Sequence, residues 1–365
     1  SVYLASVCGG GDTFAAAFLE LSAGQFSTTQ ISGPDSWNKI RDQIDAFSPR
    51  ELLYPKALER EVLSAFGVSQ DNSLFAEESP STGGSATLTP QENENFELPD
   101  CSELLKTQFG VKELRAFGLE GKTESIQAGG ACLRYARETQ KTIAGHIASI
   151  EYFEPADHMV LDAVTLRNLE IVESRGDSSR RTLFGVLDQT VTGMGSRLLR
   201  QWLLRPSLKR SEIQTRLSAV TELSDTIFRE KLRSLLKEVS DLERLIGRLN
   251  LGTASPRDLL ALNRSIRQSP SVNSVLSDAS SLLLQVLSEN IFELPEIRDL
   301  IDRAISDEPP INVSDGGVIR KGFDAELDDL RSISTSAKQT IAAFEADERE
   351  RSGISNLKVR FNNVF

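Results

Sequence analysis

The chain has 365 residues, of which 39% are hydrophobic and 26% are charged, so it can bury a core in more than one domain. Its formal net charge of −12 argues against a general polyanion-binding protein. Its three widely spaced cysteines and two histidines exclude a disulfide framework and a histidine-rich metal site. Without a long apolar run or a signal peptide, we expect a soluble, cytoplasmic protein with no membrane partner.

The charge is unevenly distributed along the chain. Residues 1–110 contain 6 basic and 16 acidic side chains, whereas residues 167–267 contain 19 basic and 12 acidic side chains. The two segments are therefore expected to face different surroundings.

The first residues indicate a β-meander. Apolar runs at 2–7 and 13–21 flank a glycine-rich turn at 9–12, and a third run follows at 25–31. Glycine supplies the positive φ that tight hairpin turns require, and the turn lacks the spacing of a phosphate-binding loop. We therefore predict two or three antiparallel strands here.

The next segment alternates helices and strands, which is typical of an α/β fold. Asp35 or Ser36 is expected to cap a helix that has Trp37, Ile40 and Ile44 on one face. A strand at 52–54, a helix at 56–66 and a short helix at 101–109 follow. The polar, acidic segment 70–100 predicts a surface loop or linker.

From residue 124 onward the pattern is almost entirely helical. We predict one helix over 124–150 and a series of helices from Thr192, with Pro206 ending one and Pro256 starting another. The last helix is predicted over 323–351. At 1.5 Å per residue it would extend roughly 40 Å, which suits an arm or lever, and its one-sided apolar seam needs a partner.

Two catalytic-looking patterns have simpler explanations. The string AFGLEGKT at 116–123 resembles a loose phosphate loop, but the preceding KELR is not a buried strand and Glu120 would repel phosphate. His158, Asp157 and Glu154, near Ser149, are neighbours in sequence rather than groups brought together by a fold. We therefore predict no catalytic constellation, no metal site and no cofactor in this chain.

The acidic group Asp324, Glu326, Asp328 and Asp329 is expected to be the hydrated face of the last helix. Two basic clusters remain. One is the set Arg175, Arg180 and Arg181. The other is the strand-like end of the chain, where alternation places Lys358, Arg360 and Asn362 on one face. That face could contact a phosphate backbone without reading bases, or it could be an ordinary exposed sheet face.

Four long strings resemble the bacterial DNA mismatch-repair family MutS. They are LDAVTLRNLE (161–170), LFGVLDQTVTGMGSRLLRQWLLRP (183–206), DLERLIGRL with TASPRD (241–258), and DGGVIRKGFDAELDDLR (315–331) with its continuation to 365. FGVKELRAFGLE (109–120) and LRYARETQKT (133–142) support them. The order and spacing of the strings extend the resemblance over essentially the whole chain.

The resemblance implies a multidomain α/β plus all-α protein. Residues 1–125 would be an RNase H-like connector domain without nuclease acids, 126–310 a helical core domain, and 311–365 the lever helix and the start of a DNA clamp. The chain would then be a fragment, since the mismatch-reading domain with its Phe-x-Glu motif and the ABC-type ATPase domain, with ATP and Mg, have no counterpart in it.

The resemblance also implies a function and partners. The core would transmit the nucleotide state of the ATPase domain to the clamp, and the acidic connector would dock MutL. Duplex DNA containing a mismatch and a second copy of the protein would be partners of the intact protein. The alternative is a helical scaffold or dimerisation module with no nucleic-acid role.

Overall fold

A computed structural model describes residues 2–67, 86–140, 145–172, 174, 182–311, 313–354 and 356–358. The first part is a mixed sheet covered by helices, and the rest is almost entirely helical. This confirms the predicted combination of an α/β region and an all-α region.

Within the described residues, the sheet has six strands in the order β5-β4-β1-β2-β3-β6. The bounds of its strands are β1 Tyr3–Gly10, β2 Thr13–Glu20, β3 Gln25–Ser32, β4 Glu51–Pro55, β5 Thr87–Gln91 and β6 Glu151–Tyr152. Strands β1, β2 and β3 form the predicted antiparallel meander, while β4 runs parallel to β1, β5 to β4 and β6 to β3.

Helices cover both faces of this sheet. They are α1 Ser36–Phe47, α2 Glu59–Phe66, α3 Leu98–Phe109 and α4 Thr123–Gln140. Ile40 and Ile44 of α1 pack with Phe18 and Tyr54 on one face, and Leu105 of α3 packs with Leu133 of α4 on the other. Because apolar side chains leave the strands in both directions, the sheet is buried between two helical layers.

Two predictions in this region were wrong. Within the supposed linker 70–100, residues 87–91 form the edge strand β5, whose Thr-Leu-Thr alternation favours a strand and whose position at the edge tolerates Pro90. The supposed helix 124–150 ends at Gln140, and residues 145–150 are not helical. Ile147 and Ile150 are instead buried against the sheet, and their burial there outweighs any local helical preference.

The predicted helices from Thr192 onward are present. In the described residues of the helical region, the helices are α5 Ala163–Asn168, α6 Leu183–Leu187, α7 Gly193–Leu204, α8 Arg210–Glu222, α9 Thr226–Leu236, α10 Leu242–Asn250, α11 Pro256–Ile266, α12 Ser269–Leu276, α13 Leu282–Glu289, α14 Pro295–Ala304 and α15 Ala325–Ser352. Helix α7 stops before Pro206 and α11 starts at Pro256, as the sequence predicts.

Helix α15 confirms the predicted long helix. Its 28 residues begin after Asp324, whose side chain accepts the Leu327 N–H at 2.8 Å, and end before Gly353, which has a φ of +70°. Its apolar seam includes Leu330, which is 57% exposed, and Phe344, which is 55% exposed.

The chain divides into two compact units. One comprises residues 1–254 with 264–293, and the other comprises residues 255–263 with 294–365. The division into connector, core and lever expected from the family resemblance remains a prediction. Helix α4, which begins just before the expected boundary at residue 125, packs on strands β1, β2 and β3.

Candidate functional site: the junction of sheet and helices

The sheet meets the first helices of the helical region at a polar centre built around Arg197. The Arg197 side chain, which is 9% exposed, donates from Nη1 and Nη2 to the two oxygens of Asp241, at 2.6 and 2.8 Å. It also donates from Nε and Nη2 to Oε2 of Glu243, at 3.2 and 2.5 Å. Gln25 of β3 donates to the same Glu243 oxygen at 3.3 Å, so one guanidinium links α7, the start of α10 and the sheet.

Charge and local geometry fix this centre. The hydrogen bond to Asp241 raises the pKa of Arg197, and the same bond lowers the pKa of Asp241. Asp241 also caps α10 by accepting the Arg244 N–H. At Gly193, an added Cβ would lie 2.7 Å from the Asp241 carboxylate, so a larger residue at the start of α7 would displace one partner of the bidentate pair.

A second contact lies between α10 and the β2–β3 turn. A Cβ added at Gly247 would lie 2.4 Å from the Ser22 carbonyl oxygen, so the α10 backbone approaches the turn closely. His146 donates from Nε2 to the Leu21 carbonyl at 2.6 Å. The sheet and α10 are therefore joined by backbone packing as well as by charge.

Residues 151–159 form a connecting strip that runs from the sheet to the α7–α8 loop. At one end, β6 pairs with β3. At the other end, Met159 donates to the Pro206 carbonyl at 2.8 Å, Leu208 donates to the Asp157 carbonyl at 2.7 Å, and Lys209 pairs with Asp157 at 2.5 Å. The strip therefore links the α7–α8 loop to the edge of the sheet.

Arg205, directly after α7, contacts the sheet region through aromatic rings. Its guanidinium carbon lies 4.8 Å from the ring centre of Phe47 and 4.4 Å from that of Phe153. Burial lowers the pKa of Arg205, and its Nη1 is buried with no hydrogen-bond acceptor among the described residues. Cation–π attraction compensates part of this loss of hydration.

A groove of about 400 Å³ lies beside this contact. Its lining includes residues of the strip, of the second half of α7 and of the start of α8. Trp202 forms part of the wall, with the Arg216 guanidinium carbon 3.8 Å from its ring centre. Arg205 faces this groove and also a smaller hollow that it shares with Arg197 and Phe47.

The residues that suggested a triad have structural partners in the junction. Asp157 pairs with Lys209, while Glu154 accepts the Tyr152 hydroxyl at 3.0 Å and lies 3.7 Å from Lys122. His158 forms an isolated β-bridge with Ser207, and Ser149 is exposed. The structure does not bring them together around a reacting centre.

The string AFGLEGKT has no phosphate-loop geometry. Residues 114–117 form a 3-10 turn rather than a buried strand. Lys122 lies over the Tyr152 ring, with its amine 4.7 Å from the ring centre, and a hydrogen bond to Tyr152 raises its pKa. The residues present therefore do not fit the phosphates of ATP.

The predicted phosphate-contacting face can be followed only in part. Lys358 is exposed and lies outside any strand, whereas Arg360 and Asn362 fall outside the described residues, as do Arg175, Arg180 and Arg181. The role of this face therefore remains a prediction. The acidic group in α15 is mainly exposed, as expected, although Asp324 also caps the helix and Asp328 accepts the Gly322 N–H.

Among the described residues, no helix is both long and apolar enough to span a bilayer. In the same residues, no three histidine, cysteine or acidic side chains converge as metal ligands.

Sequence reasoning missed the residues that form the junction. Arg197 lies in α7 and Arg205 directly after it, and the sequence of this helix has an ordinary amphipathic pattern. A usable signal was Asp241 directly before an apolar helix, which is a typical N-cap position. Nothing in the sequence indicated that this cap would also bind Arg197.

Comparison with known proteins gives matches over nearly the whole chain. MutS domain II matches residues 2–148 and MutS domain III matches residues 164–363. Proteins named DNA mismatch repair protein MutS from Solibacter usitatus and Myxococcus xanthus are 41% and 40% identical to it over its full length, and one from Symbiobacterium thermophilum is 38% identical. The chain spans 40% of the length of each of these relatives. With domains II and III matched in order on an α/β region followed by helices, the chain belongs to the MutS family.

Proposed function

We propose that this chain acts in DNA mismatch repair as the connector and core of a MutS protein. The observation that carries the proposal is the match of domains II and III, in order, to the two structural regions described above. The names of the relatives support the process, and the two family domains support the place of the chain within it.

Within that function, we assign to the junction the transmission of conformational change between the connector and the helices that lead to the DNA clamp. Its short, charged and nearly buried contacts suit this role, because a stiff connection passes on a rotation that a loose one would absorb. Arg197 is the main positioning residue, since it binds Asp241 and Glu243, and Glu243 also accepts a hydrogen bond from Gln25 of the sheet.

The remaining parts of the proposal concern partners. The acidic segment 1–110 would dock MutL rather than DNA, because its charge repels a phosphate backbone. Lys358, Arg360 and Asn362 would contact the backbone of mismatch-containing duplex DNA. The intact protein would be a cytoplasmic homodimer with an ABC-type ATPase domain that binds ATP and Mg.

One observation favours the alternative of a scaffold or dimerisation module. Helix α15 exposes several large apolar side chains in the described structure, and such a seam can pair with another helix. A scaffold role predicts that DNA binding by the intact protein does not depend on residues of this chain.

The transmission role is tested in the full-length protein with Arg197→Met and the milder Arg197→Lys. We expect both variants to bind a fluorescent mismatched duplex but to release it at least tenfold more slowly after ATP addition in stopped-flow measurements. Arg200→Met, on the same helix, is the matched control. Unchanged release in folded Arg197→Lys and Arg197→Met proteins would contradict the role.

The DNA-contact role is tested by replacing Lys358 and Arg360 with Ala in the full-length protein. Each lost phosphate contact should reduce the magnitude of the negative slope of log affinity against log salt by about 0.9. The double variant should therefore flatten that slope by up to about two, with mismatch preference unchanged. An unchanged salt slope would mean that this face is an ordinary exposed sheet face. If the affinity for DNA were also unchanged, the result would favour the scaffold alternative.

A further inference from the structure

Arg197 lies in the first half of α7 and Arg205 directly follows the helix, and their surroundings differ. Arg197 makes two bonds to one carboxylate and two to another, whereas Arg205 has two phenylalanine rings as its near neighbours. A guanidinium carries five N–H donors, and rings accept them only weakly. Arg205 is therefore held in its present position with its hydrogen-bonding capacity poorly used.

The ring position is nevertheless well formed. Phe47 stacks on Phe18 with ring centres 3.7 Å apart, and Phe153 lies 6.0 Å from Phe47. Phe153 is a buried member of the apolar core on one face of the sheet and Phe47 packs against that core, so core packing also holds the two rings. The pocket offers Arg205 attraction without an acceptor for its buried Nη1.

A carboxylate on the neighbouring strip could provide the hydrogen-bond acceptor that the rings lack. Glu151 of β6 lies two residues before Phe153, is exposed, and lines the groove together with Arg205. Its charge already acts on the guanidinium, but the two side chains are not in ion-pair contact, and Glu151 forms no ion pair with any described residue. The other strip carboxylates, Glu154 and Asp157, are paired with lysines.

We propose that Arg205 has two positions: the ring position seen here, between Phe47 and Phe153, and a groove position in which its guanidinium pairs with the Glu151 carboxylate. In the first, Arg205 attaches the end of α7 to α1 and the sheet core; in the second, Arg205 attaches it to the edge strand β6. The ring position gives good cation–π contact but poor hydrogen bonding, and the groove position gives good hydrogen bonding but loses the cation–π contact. The two free energies therefore partly balance, and both positions can be populated.

This exchange would make the Arg205 end of α7 the releasable half of the junction and leave the Arg197 end as the fixed half. Such a two-position contact is what a conformational signal needs, because a ligand can act only by favouring one of two existing states. The inference concerns this chain alone and does not depend on the proposed function.

The test is NMR of the chain labelled with ¹⁵N-arginine. The Arg205 Nε–Hε signal, identified by its loss in Arg205→Lys, reports the ring position through the ring-current shift of the phenylalanines. Exchange on the microsecond-to-millisecond timescale appears as relaxation dispersion, and faster exchange appears as an averaged shift.

Two variants should move this signal in opposite directions. Glu151→Gln should shift it further upfield, towards the ring position, and reduce any dispersion at least fivefold. Phe153→Leu should shift it downfield, towards the groove position. Glu154→Gln, which changes a neighbouring carboxylate paired with Lys122, is the matched control and should leave the signal in place.

Trp202 provides a second readout, because it lies three residues before Arg205 and lines the same groove. The chain has only two tryptophans, so Trp37→Phe leaves Trp202 as the sole indole emitter. In that background, Glu151→Gln should shift its emission and Glu154→Gln should not. An Arg205 signal and a Trp202 emission that are both unmoved by Glu151→Gln would overturn the proposal.

Discussion

The α/β region and the helical region of this chain are held together in different ways. In the sheet, Phe18, Leu52 and Leu53 are fully buried, and both faces of the sheet are covered. In the helical region, large apolar side chains such as Ile227, Val220 and Leu330 are 82%, 62% and 57% exposed. Apolar burial therefore contributes much more to the first region than to the second.

The helices of the two regions differ at their N-termini. Helices α1, α2 and α3 begin without a side-chain cap hydrogen bond. In contrast, side-chain oxygens accept a backbone N–H at the start of several later helices: Asp162, Thr182, Thr192, Asp225, Asp241 and Asp324. Several helices of the helical region therefore gain stability from N-cap hydrogen bonds that α1, α2 and α3 lack, although α8, α12, α13 and α14 also begin without one.

The largest effect is expected from the sheet core. Phe18→Ala removes a fully buried ring that stacks on Phe47, and should lower the free energy of unfolding by about 3–5 kcal/mol. Urea unfolding followed by circular dichroism measures the loss. Ile227→Ala, at a side chain 82% exposed, is the control and should change it by less than about 0.5 kcal/mol. Equal decreases in the free energy of unfolding for the two variants would contradict the proposed difference in apolar burial.

The junction should give the next effect. Arg197→Met removes the buried cation that binds Asp241 and Glu243 and leaves Asp241 only the more distant Arg244, at 3.8 Å, so it should destabilise the chain by about 2 kcal/mol, between the values for exposed and buried ion pairs. Urea unfolding of the variant and of Arg200→Met provides the comparison. A loss no larger than that of the control would mean that hydration replaces the ion pair.

A single cap should give a smaller effect. Asp225 accepts the Phe228 N–H at 2.7 Å at the start of α9, so Asp225→Ala should cost about 1 kcal/mol. Asp35 stands at the corresponding position of α1 but makes no cap hydrogen bond, so Asp35→Asn should be nearly neutral. Thermal unfolding measures the melting temperatures of both variants. A larger decrease for Asp35→Asn than for Asp225→Ala would contradict the comparison.

The stability of the helical region should also depend on pH through the carboxylate of Glu222. Glu222 accepts N–H groups from Ser280 and Ser281, at 2.6 and 2.7 Å, and these bonds lower its pKa to about 2. A carboxylate with a depressed pKa stabilises the fold above its unfolded pKa, and the contribution is lost as pH falls towards 2. Glu222→Gln should therefore flatten the fall in melting temperature between pH 5 and pH 2. An equally steep fall in the variant would exclude this contribution.

The sequence predicted the elements better than the contacts between them. Alternating apolar runs identified the meander and the 3.6-residue period identified the helices, because each pattern depends on local burial. Strand β5 was missed since its five residues gain their stability from pairing with β4, which lies 36 residues earlier at matched positions. The end of α4 was missed because Ile147 and Ile150 fit a helical period as well as a sheet contact.

The junction could not be predicted for the same physical reason. Arg197 lies 44 residues from Asp241 and far from Gln25 in the chain, and a long charged side chain in a helix usually faces water. Only the fold decides that this guanidinium is buried against two carboxylates. The family resemblance, in contrast, was readable because it depends on long strings rather than on contacts.

Hydrogen exchange at two pH values tests most directly whether burial holds the sheet and polar contacts hold the helices. Protection factors, corrected for the intrinsic pH dependence of exchange, are compared by mass spectrometry at pH 7 and pH 3. The pKa values of Glu222 and Asp241 are lowered in the fold, so on going from pH 7 to pH 3 the unfolded state binds protons that the folded state does not, and the stabilisation from these carboxylates falls. We predict at least a tenfold loss of protection in α8, α10 and α13 with little change in β1, β2 and β4. An equal loss in the strands and the helices would contradict the account.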